Sequence, residues 1–499
     1  MNENQKLSKG KFALLGFQHM FAMFGATVLV PALTLQYVDS SIPGLSVSAT
    51  LFFAGLGTLL FHLLTKWKVP AFLGSSFAFL GGYEAVKKLV AESGNGANWI
   101  PYAGVGVACA GLLYVLLASL FKAFGPTKVM RFFPPVVTGP IIICIGITLA
   151  NSAVNNCANN WPIALLALAI VVGLNIWGKG MFRIIPILMG VVGSYAVAAL
   201  LALLFGQNVD VVTMVKAAEE VVAETGAVVT TMVPTVTGSN ITLFGNPNLV
   251  LFNQAAVDQL INAQWIGLPF GMKDTAFALT SGCDMSLLVS ALITMVPIAL
   301  ATMMEHIGDI CAISSTVGKN FVKEPGLHRT LLGDGLATAM AAVFGAPANT
   351  TYGENTGVLA LTGVHNPGVV RLAAGIAILF SFSPKFAALV SCMPAATIGG
   401  VSMILYGMIS AVGVRNVVEN RVDFSKSRNV IIAAMIMSLA LGINFSGAGA
   451  IIFEVFGATI RLSGLAVASL VGILLNAVLP GNDYVFSGEA EKDSKKFDA

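Results

Sequence analysis

Val69-Pro70-Ala71-Phe72-Leu73-Gly74-Ser75-Ser76-Phe77-Ala78-Phe79-Leu80-Gly81-Gly82 and Gly345-Ala346-Pro347-Ala348-Asn349-Thr350-Thr351-Tyr352-Gly353-Glu354-Asn355 are the two stretches that decide how this chain folds. Each sets a proline among small, hydroxyl and aromatic residues inside an apolar region, and each is too broken for a continuous membrane-crossing helix. Non-helical backbone at membrane depth survives only where protein or a water-filled cavity satisfies its N–H and C=O groups. A matched pair of interrupted segments in two halves of a chain points to the binding site of a secondary transporter.

The surrounding sequence supplies the membrane. Of 499 residues, 56% are hydrophobic and 10% charged, with a mean hydropathy of +0.84. A soluble domain carries roughly 25% charged residues, so this chain cannot cover a water-facing surface. Disorder and a disulfide-stapled secreted fold are excluded by the same composition. The formal charge of +3 comes from cations scattered between apolar runs and offers no nucleic-acid surface. The six cysteines form no C-x-x-C pair and read as buried thiols, so neither zinc nor any other cofactor is implied. The first apolar run, 12–35, is long enough to span and lacks a signal-peptide cleavage site, so it reads as an uncleaved first helix.

A spanning helix needs about 20 apolar residues. Apolar segments lie near 12–35, 46–65, 69–86, 100–122, 133–152, 162–178 and 183–206, and again near 286–314, 327–345, 352–364, 371–392, 395–413, 429–447 and 462–480. The expected fold is therefore an all-α polytopic membrane protein of 14 transmembrane segments, as two inverted seven-segment repeats with short broken-helix or strand elements in segments 3 and 10. With the N-terminus in the cytoplasm, 21 Lys and Arg fall inside and 6 (Lys87, Lys88, Lys216, Lys273, Lys385 and Arg461) outside. That asymmetry follows the positive-inside rule and puts both termini in the cytoplasm. Residues 207–285 form one long external insert, read as short strands or an amphipathic helix over Val212–Glu224, and the charged 481–499 forms a cytoplasmic tail.

Charged side chains cost roughly 2.5–3.5 kcal/mol each in the bilayer core, so those present are functional candidates. Glu305 and Asp309 are four apart in the eighth segment and share one helix face. Glu354 stands just past the break in the tenth. Carboxyl groups that converge in low dielectric cannot all stay ionised, which suits a carrier whose acid both binds substrate and holds a proton. Neither Lys nor Arg lies in the broken segments or beside Glu305. Acids without cations favour a substrate rich in N–H donors, such as a cyclic imide or ureide, with backbone amides at the breaks for its carbonyls. An anion carrier or channel on an inverted-repeat scaffold would need cationic charge or a free half-helix N-terminus there. Among the histidines, His19 is the candidate for a buried polar partner. His306 points about 100° from Glu305 around the helix and reads as packing, and Asp334 stays open between a helix contact and a functional role. The sequence holds neither a P-loop nor a metalloprotease motif, and no enzyme is expected.

Glu354-Asn355-Thr356-Gly357-Val358-Leu359-Ala360-Leu361-Thr362-Gly363 matches every constrained position of the signature of the nucleobase–ascorbate transporters, also called nucleobase–cation symporters. Gln18-His19-Met20-Phe21-Ala22-Met23-Phe24-Gly25-Ala26-Thr27, Phe72–Phe79 and Asn349–Asn355 also resemble the bacterial uracil permease branch. The resemblance covers all fourteen segments. It implies a core domain (1–123 and 286–393) that holds the substrate, and a gate domain (124–206 and 394–480). It implies an elevator-type, proton-coupled symporter, dimeric through the gate domain, in a bacterial cytoplasmic membrane. Carried over by position, Glu305 and Glu354 hydrogen-bond the nucleobase, and backbone around Phe77 and Gly353 completes its edges. Ala26, Tyr352 and Tyr406 line the pocket; Gln18, His19 and Asn355 support it; Glu305 and Asp309 carry the proton. Two positions depart from the uracil pattern: Asp309, where uracil permeases usually have His, and Gly363, where they often have Arg. Both lean towards carriers of xanthine or another oxopurine. Glu354 is the uracil-type residue, where xanthine carriers have Gln, and uracil is the expected substrate.

Overall fold

A computed structural model describes residues 8–36, 44–93, 97–221, 228–455 and 458–481; the tail expected over 482–499 lies outside the described residues. In the first half the helices are α1 (Lys9–Gln36), α2 (Val47–Leu64), α3 (Leu80–Glu92), α4 (Trp99–Phe124), α5 (Pro126–Met130), α6 (Pro135–Ala158), α7 (Trp161–Trp177), α8 (Met181–Ile184) and α9 (Pro186–Phe205). The connecting region carries α10 (Gln254–Asn262). The second half holds α11 (Met285–Met295), α12 (Ala299–Val317), α13 (Leu327–Val343), α14 (Gly353–Thr362), α15 (Pro367–Ser381), α16 (Pro384–Ser391), α17 (Ala395–Glu419), α18 (Ser427–Asn444) and α19 (Gly464–Val478). Among the described residues eight helices, with α11 and α12 counted as one, are long and apolar enough to cross a membrane; α15 and α16, bent by 90°, make a ninth if taken together.

Local chemistry sets many of these boundaries. Ser46, Asn98, Asn160, Asn253, Asp284, Asn366, Ser383 and Ser463 each accept a first-turn N–H at a helix start, which satisfies donors the helix leaves unpaired. Polar bonds then tie the second half back to the first. Asn416 Nδ2 of α17 donates to Thr138 Oγ1 of α6 at 2.8 Å, and Ser410 Oγ donates to Ile143 O at 3.0 Å. Ser194 Oγ of α9 meets Thr397 Oγ1 of α17 at 3.0 Å.

Among the described residues the chain is mostly helical with three small sheets. Strand elements are expected in the broken segments and allowed in the insert, and only the sheet that precedes the last helix goes beyond the all-α expectation. In the insert, β2 (Gly206–Val221) and β3 (Val228–Leu243) form a long antiparallel hairpin, with β4 (Val250–Asn253) alongside β3. This decides for strands over the helix expected at Val212–Glu224, as far as the described residues reach. Valine and threonine are abundant here, and they favour a pleated surface over a helix. A second hairpin, β6 (Ala450–Val455) with β7 (Ala458–Ser463), precedes α19. The third sheet belongs to the broken segments: β1 (Leu73–Ser75) pairs antiparallel with β5 (Asn349–Thr351). Lys87, counted among the external cations, lies within α3, 1% exposed, with Nζ donating to Thr34 O at 3.1 Å.

Candidate functional site

The two broken segments meet. Leu73 stands opposite Thr351, Gly74 opposite Thr350 and Ser75 opposite Asn349, and all six are buried. Strands this short leave backbone groups that no sheet neighbour can satisfy, and adjacent helices supply the partners. Thr58 Oγ1 of α2 accepts from Leu73 N at 2.9 Å and donates to Leu73 O at 3.2 Å. On the other strand, Thr338 Oγ1 of α13 donates to Asn349 O at 2.9 Å, while Asn349 Nδ2 reaches Phe53 O at 3.1 Å. Ser76 N and Tyr352 N extend the ladder to Ala348 O (2.8 Å) and Phe72 O (3.0 Å).

Each strand runs straight into a helix start. β1 leads into the 3-10 turn Phe77–Phe79 and then α3, and β5 leads into α14 at Gly353. Neither Ser76 nor Tyr352 caps its helix with a side chain. First-turn N–H groups and the positive ends of two half-helices are thus available beside the strand pair, a site able to take carbonyl or other acceptor atoms.

The acids flank this point. On α12, Glu305, Gly308 and Asp309 are partly exposed while 301–304, 306–307 and 310 are buried, so one face of a mid-chain helix is open. On α14, Gly353 and Gly357 are open and Glu354 is partly exposed. Glu305 interacts electrostatically with Asp309, Asp334 and Glu354, and Asp309 with Glu354. Asp309 Oδ2 accepts from Thr351 Oγ1 at 2.8 Å, which ties α12 to β5.

The remaining expected residues fall around the same break. Tyr352 is buried, with Oη donating to Ser75 O at 2.9 Å and 3.2 Å from Ser75 Oγ. Ser75 Oγ also donates to Thr27 O at 2.9 Å, bringing α1 next to the strands, and Ala26 on that helix is fully buried. Phe77 and Tyr406 meet edge to face at 5.8 Å between ring centres, so α17 closes one side. Asn355 Nδ2 donates to His19 O (3.0 Å) and lies 3.1 Å from His19 Nδ1. Gln18 is buried next to it.

The sequence reading undervalued one group. His306, expected only to pack, is fully buried with Nδ1 3.1 Å from Asp334 Oδ2 across the α12–α13 contact. Tyr114 of α4 is buried at the same place and interacts with Asp334 and Glu305. Among the described residues no group of three His, Cys, Asp or Glu is arranged to hold a metal ion.

Gly74 is the steric key to this arrangement. A Cβ there would lie 2.4 Å from the Tyr352 ring and 2.8 Å from Thr27 Oγ1. Overpacking of this kind costs about 1–3 kcal/mol, and here it displaces Tyr352 and with it the start of α14. Gly74→Ala is expected to weaken substrate binding by at least about tenfold, the equivalent of 1.4 kcal/mol. Gly81→Ala, whose Cβ would meet nothing within 4 Å, is expected to bind as the parent does. Isothermal titration of both variants makes the comparison.

The profile of a family described simply as a permease family matches residues 10–448. Uracil permease of Bacillus caldolyticus is 36% identical over 481 residues, covering 95% of this chain and 93% of that protein. Uracil permease of Bacillus subtilis (strain 168) is 35% identical over 479 residues, covering 93% and 91%. Among solved structures, the transmembrane domain of the cyanobacterial bicarbonate transporter BicA aligns over 92% of this chain and 97% of that one, at 16% identity and a TM-score of 0.49. The apolar helices, the profile match and relatives matched over nine-tenths of their length together make this a multi-pass membrane protein of the nucleobase–ascorbate transporter family.

Proposed function

We propose that this chain imports uracil across a bacterial cytoplasmic membrane by proton symport. The observation that carries the reading is the partial exposure of Glu305 and Glu354, which interact with each other beside the β1–β5 break, with helix starts that lack side-chain caps next to them. Uracil is a cyclic imide with two N–H donors and two carbonyls. Its N–H groups suit the two carboxylates and its carbonyls suit the first-turn amides at Phe77 and Gly353. Ala26, Tyr352 and Tyr406 complete the pocket, and the His19–Asn355 bonds hold α1 against α14, with Gln18 supporting them. The names of the curated relatives support the same substrate.

Counting β1–α3, β5–α14, α11–α12 and α15–α16 as one segment each, with α1, α2, α4, α6, α7, α9, α13, α17, α18 and α19, supports fourteen segments in two inverted sevens. On that count segments 1–4 and 8–11 form a core that carries substrate, and 5–7 and 12–14 a gate. The Phe77–Tyr406 contact between them is apolar and edge-on, a kind of surface that can slide in an elevator motion. Dimerisation through the gate and cytoplasmic termini complete the reading.

The proton is assigned to Glu305 and Asp309. Thr351 donates to Asp309, and an imidazole at 309 can take the same bond. Asp309→His is therefore expected to keep transporting, with a steeper dependence on pH between about 6 and 7, where histidine titrates. Complete loss of uracil binding would instead put Asp309 against the substrate.

The deciding experiment is uptake of labelled uracil and xanthine into proteoliposomes, with and without an inward proton gradient. Gradient-driven uracil accumulation that xanthine does not compete with is the expected result. Xanthine accumulation would overturn the substrate and make Asp309 and Gly363 the better guides to it.

A further inference from the structure

The segment between α10 and α11 exposes its apolar side chains. Trp265 is 75% exposed, Ile266 82% and Leu268 83%. Their backbone, by contrast, is clamped. Gly267 N donates to Phe382 O at 2.9 Å, and Lys385 N donates to Gln264 O at 2.8 Å. A Cβ on Gly267 would come within 2.6 Å of Pro384 Cγ, so the chain lies flush on the elbow between α15 and α16. On the far side Phe270 is locked among Phe52, Phe53 and Phe344, with ring centres 5.2–6.0 Å away. The large apolar groups at 265–268 are therefore held outward by a fixed backbone.

We propose that the 265–268 edge is a membrane-interface anchor, seated at the boundary between lipid headgroups and acyl chains. Three observations choose lipid as the occupant. First, the elbow to which the segment is clipped bends by 90°, so if α15 crosses the bilayer, α16 and residues 264–268 run along its surface. Second, the two arms of that elbow also expose apolar side chains, Leu379 of α15 and Leu389 of α16, part of the surface a multi-pass protein turns to lipid. Third, Lys385 Nζ sits 5.7 Å over the Trp265 ring while donating to Ile261 O. An indole beside an ammonium is the pairing that settles at headgroup level, the ring in the boundary and the cation towards phosphate.

A site-directed spin label tests this on the full-length protein in phosphatidylcholine–phosphatidylglycerol vesicles. Ile266→Cys is made in a Cys109→Ser, Cys283→Ser background and labelled, with Gln259→Cys on α10 as the exposed reference. Collisional accessibility to oxygen and to a water-soluble nickel chelate is then measured. The anchor predicts an oxygen-to-nickel ratio at 266 raised several-fold over that at 259. High nickel accessibility at 266 would make the edge a water-exposed loop and overturn the proposal. Low accessibility to both reagents would mean that a second copy of the chain covers it, and would overturn it equally. Leu268→Cys serves in the same way should the first variant fold poorly.

Discussion

Glu354→Gln is expected to abolish detectable uracil accumulation, and Glu305→Gln to abolish uphill accumulation while retaining exchange. The two acids sit on different elements, one on the open face of α12 and one in the first turn of α14. A carboxylate can only accept hydrogen bonds, whereas Gln presents donors as well. At Glu354, Gln would turn an N–H towards a uracil N–H and leave a polar atom of the substrate unpaired. Loss of a hydrogen bond to a charged group costs about 1.5–3 kcal/mol, on the order of tenfold to 150-fold in affinity. At Glu305, the acid proposed to carry the proton, Gln cannot take a proton up but keeps an amide oxygen that accepts from a uracil N–H. Binding and release of uracil are therefore expected to continue at reduced affinity, without being driven by the proton gradient. Proteoliposomes loaded with unlabelled uracil, then given labelled uracil with and without a gradient, separate the two effects. Uphill uptake by either variant at the parental rate would sink the assignment of both residues.

How much of this was legible in the sequence depends on the range of the interaction. The breaks at 69–82 and 345–355 could be read because Pro70, Pro347 and the adjoining small and hydroxyl residues forbid a continuous helix locally. The spacing of Glu305 and Asp309 on one face is also local and stands in α12. The pairing of Leu73–Ser75 with Asn349–Thr351 is different. It joins residues nearly 280 positions apart, and no periodicity in either stretch specifies a register. The bonds from Thr58 and Thr338 that hold the strands are invisible for the same reason. Likewise β6–β7 was missed because Ile451, Ile452 and Phe453 make an apolar run too short to separate strand from loop. The burial of Lys87 is not legible from its charge: a buried ammonium needs an acceptor, and Thr34 O, 53 residues away, provides one. His306 shows both limits at once. Helical geometry correctly turned it away from the Glu305 face, but its partner on another helix could not be named.

That partner sets the other large expected effect. Asp334→Ala is expected to cost about 3–5 kcal/mol of stability, the range for breaking a buried pair while leaving the other member behind. His306 and Asp334 are both fully buried, and at 3.1 Å the contact lacks the alignment of a hydrogen bond. Tyr114 Oη nearby likewise has no aligned partner, and the Phe61 ring stands edge-on to His306 at 6.2 Å. Nothing apolar around the pair can take over if Asp334 leaves, so the imidazole would remain desolvated and unpaired. Removing both members reverses the logic: Asp334→Leu with His306→Leu replaces two polar groups by apolar ones of similar size and is expected to recover most of the loss. Glu324→Ala supplies the contrast, because Glu324 pairs with Lys68 in the open, with side chains 73% and 46% exposed. Such a solvent-screened surface pair contributes little, and its loss is expected to leave stability almost unchanged. Thermal unfolding in detergent, followed by a thiol-reactive dye that reports exposure of buried Cys144, Cys157 and Cys392, ranks the variants. A double variant as unstable as Asp334→Ala would show that the carboxyl group does something other than pair with His306, and would move Asp334 into the same proton network as Glu305.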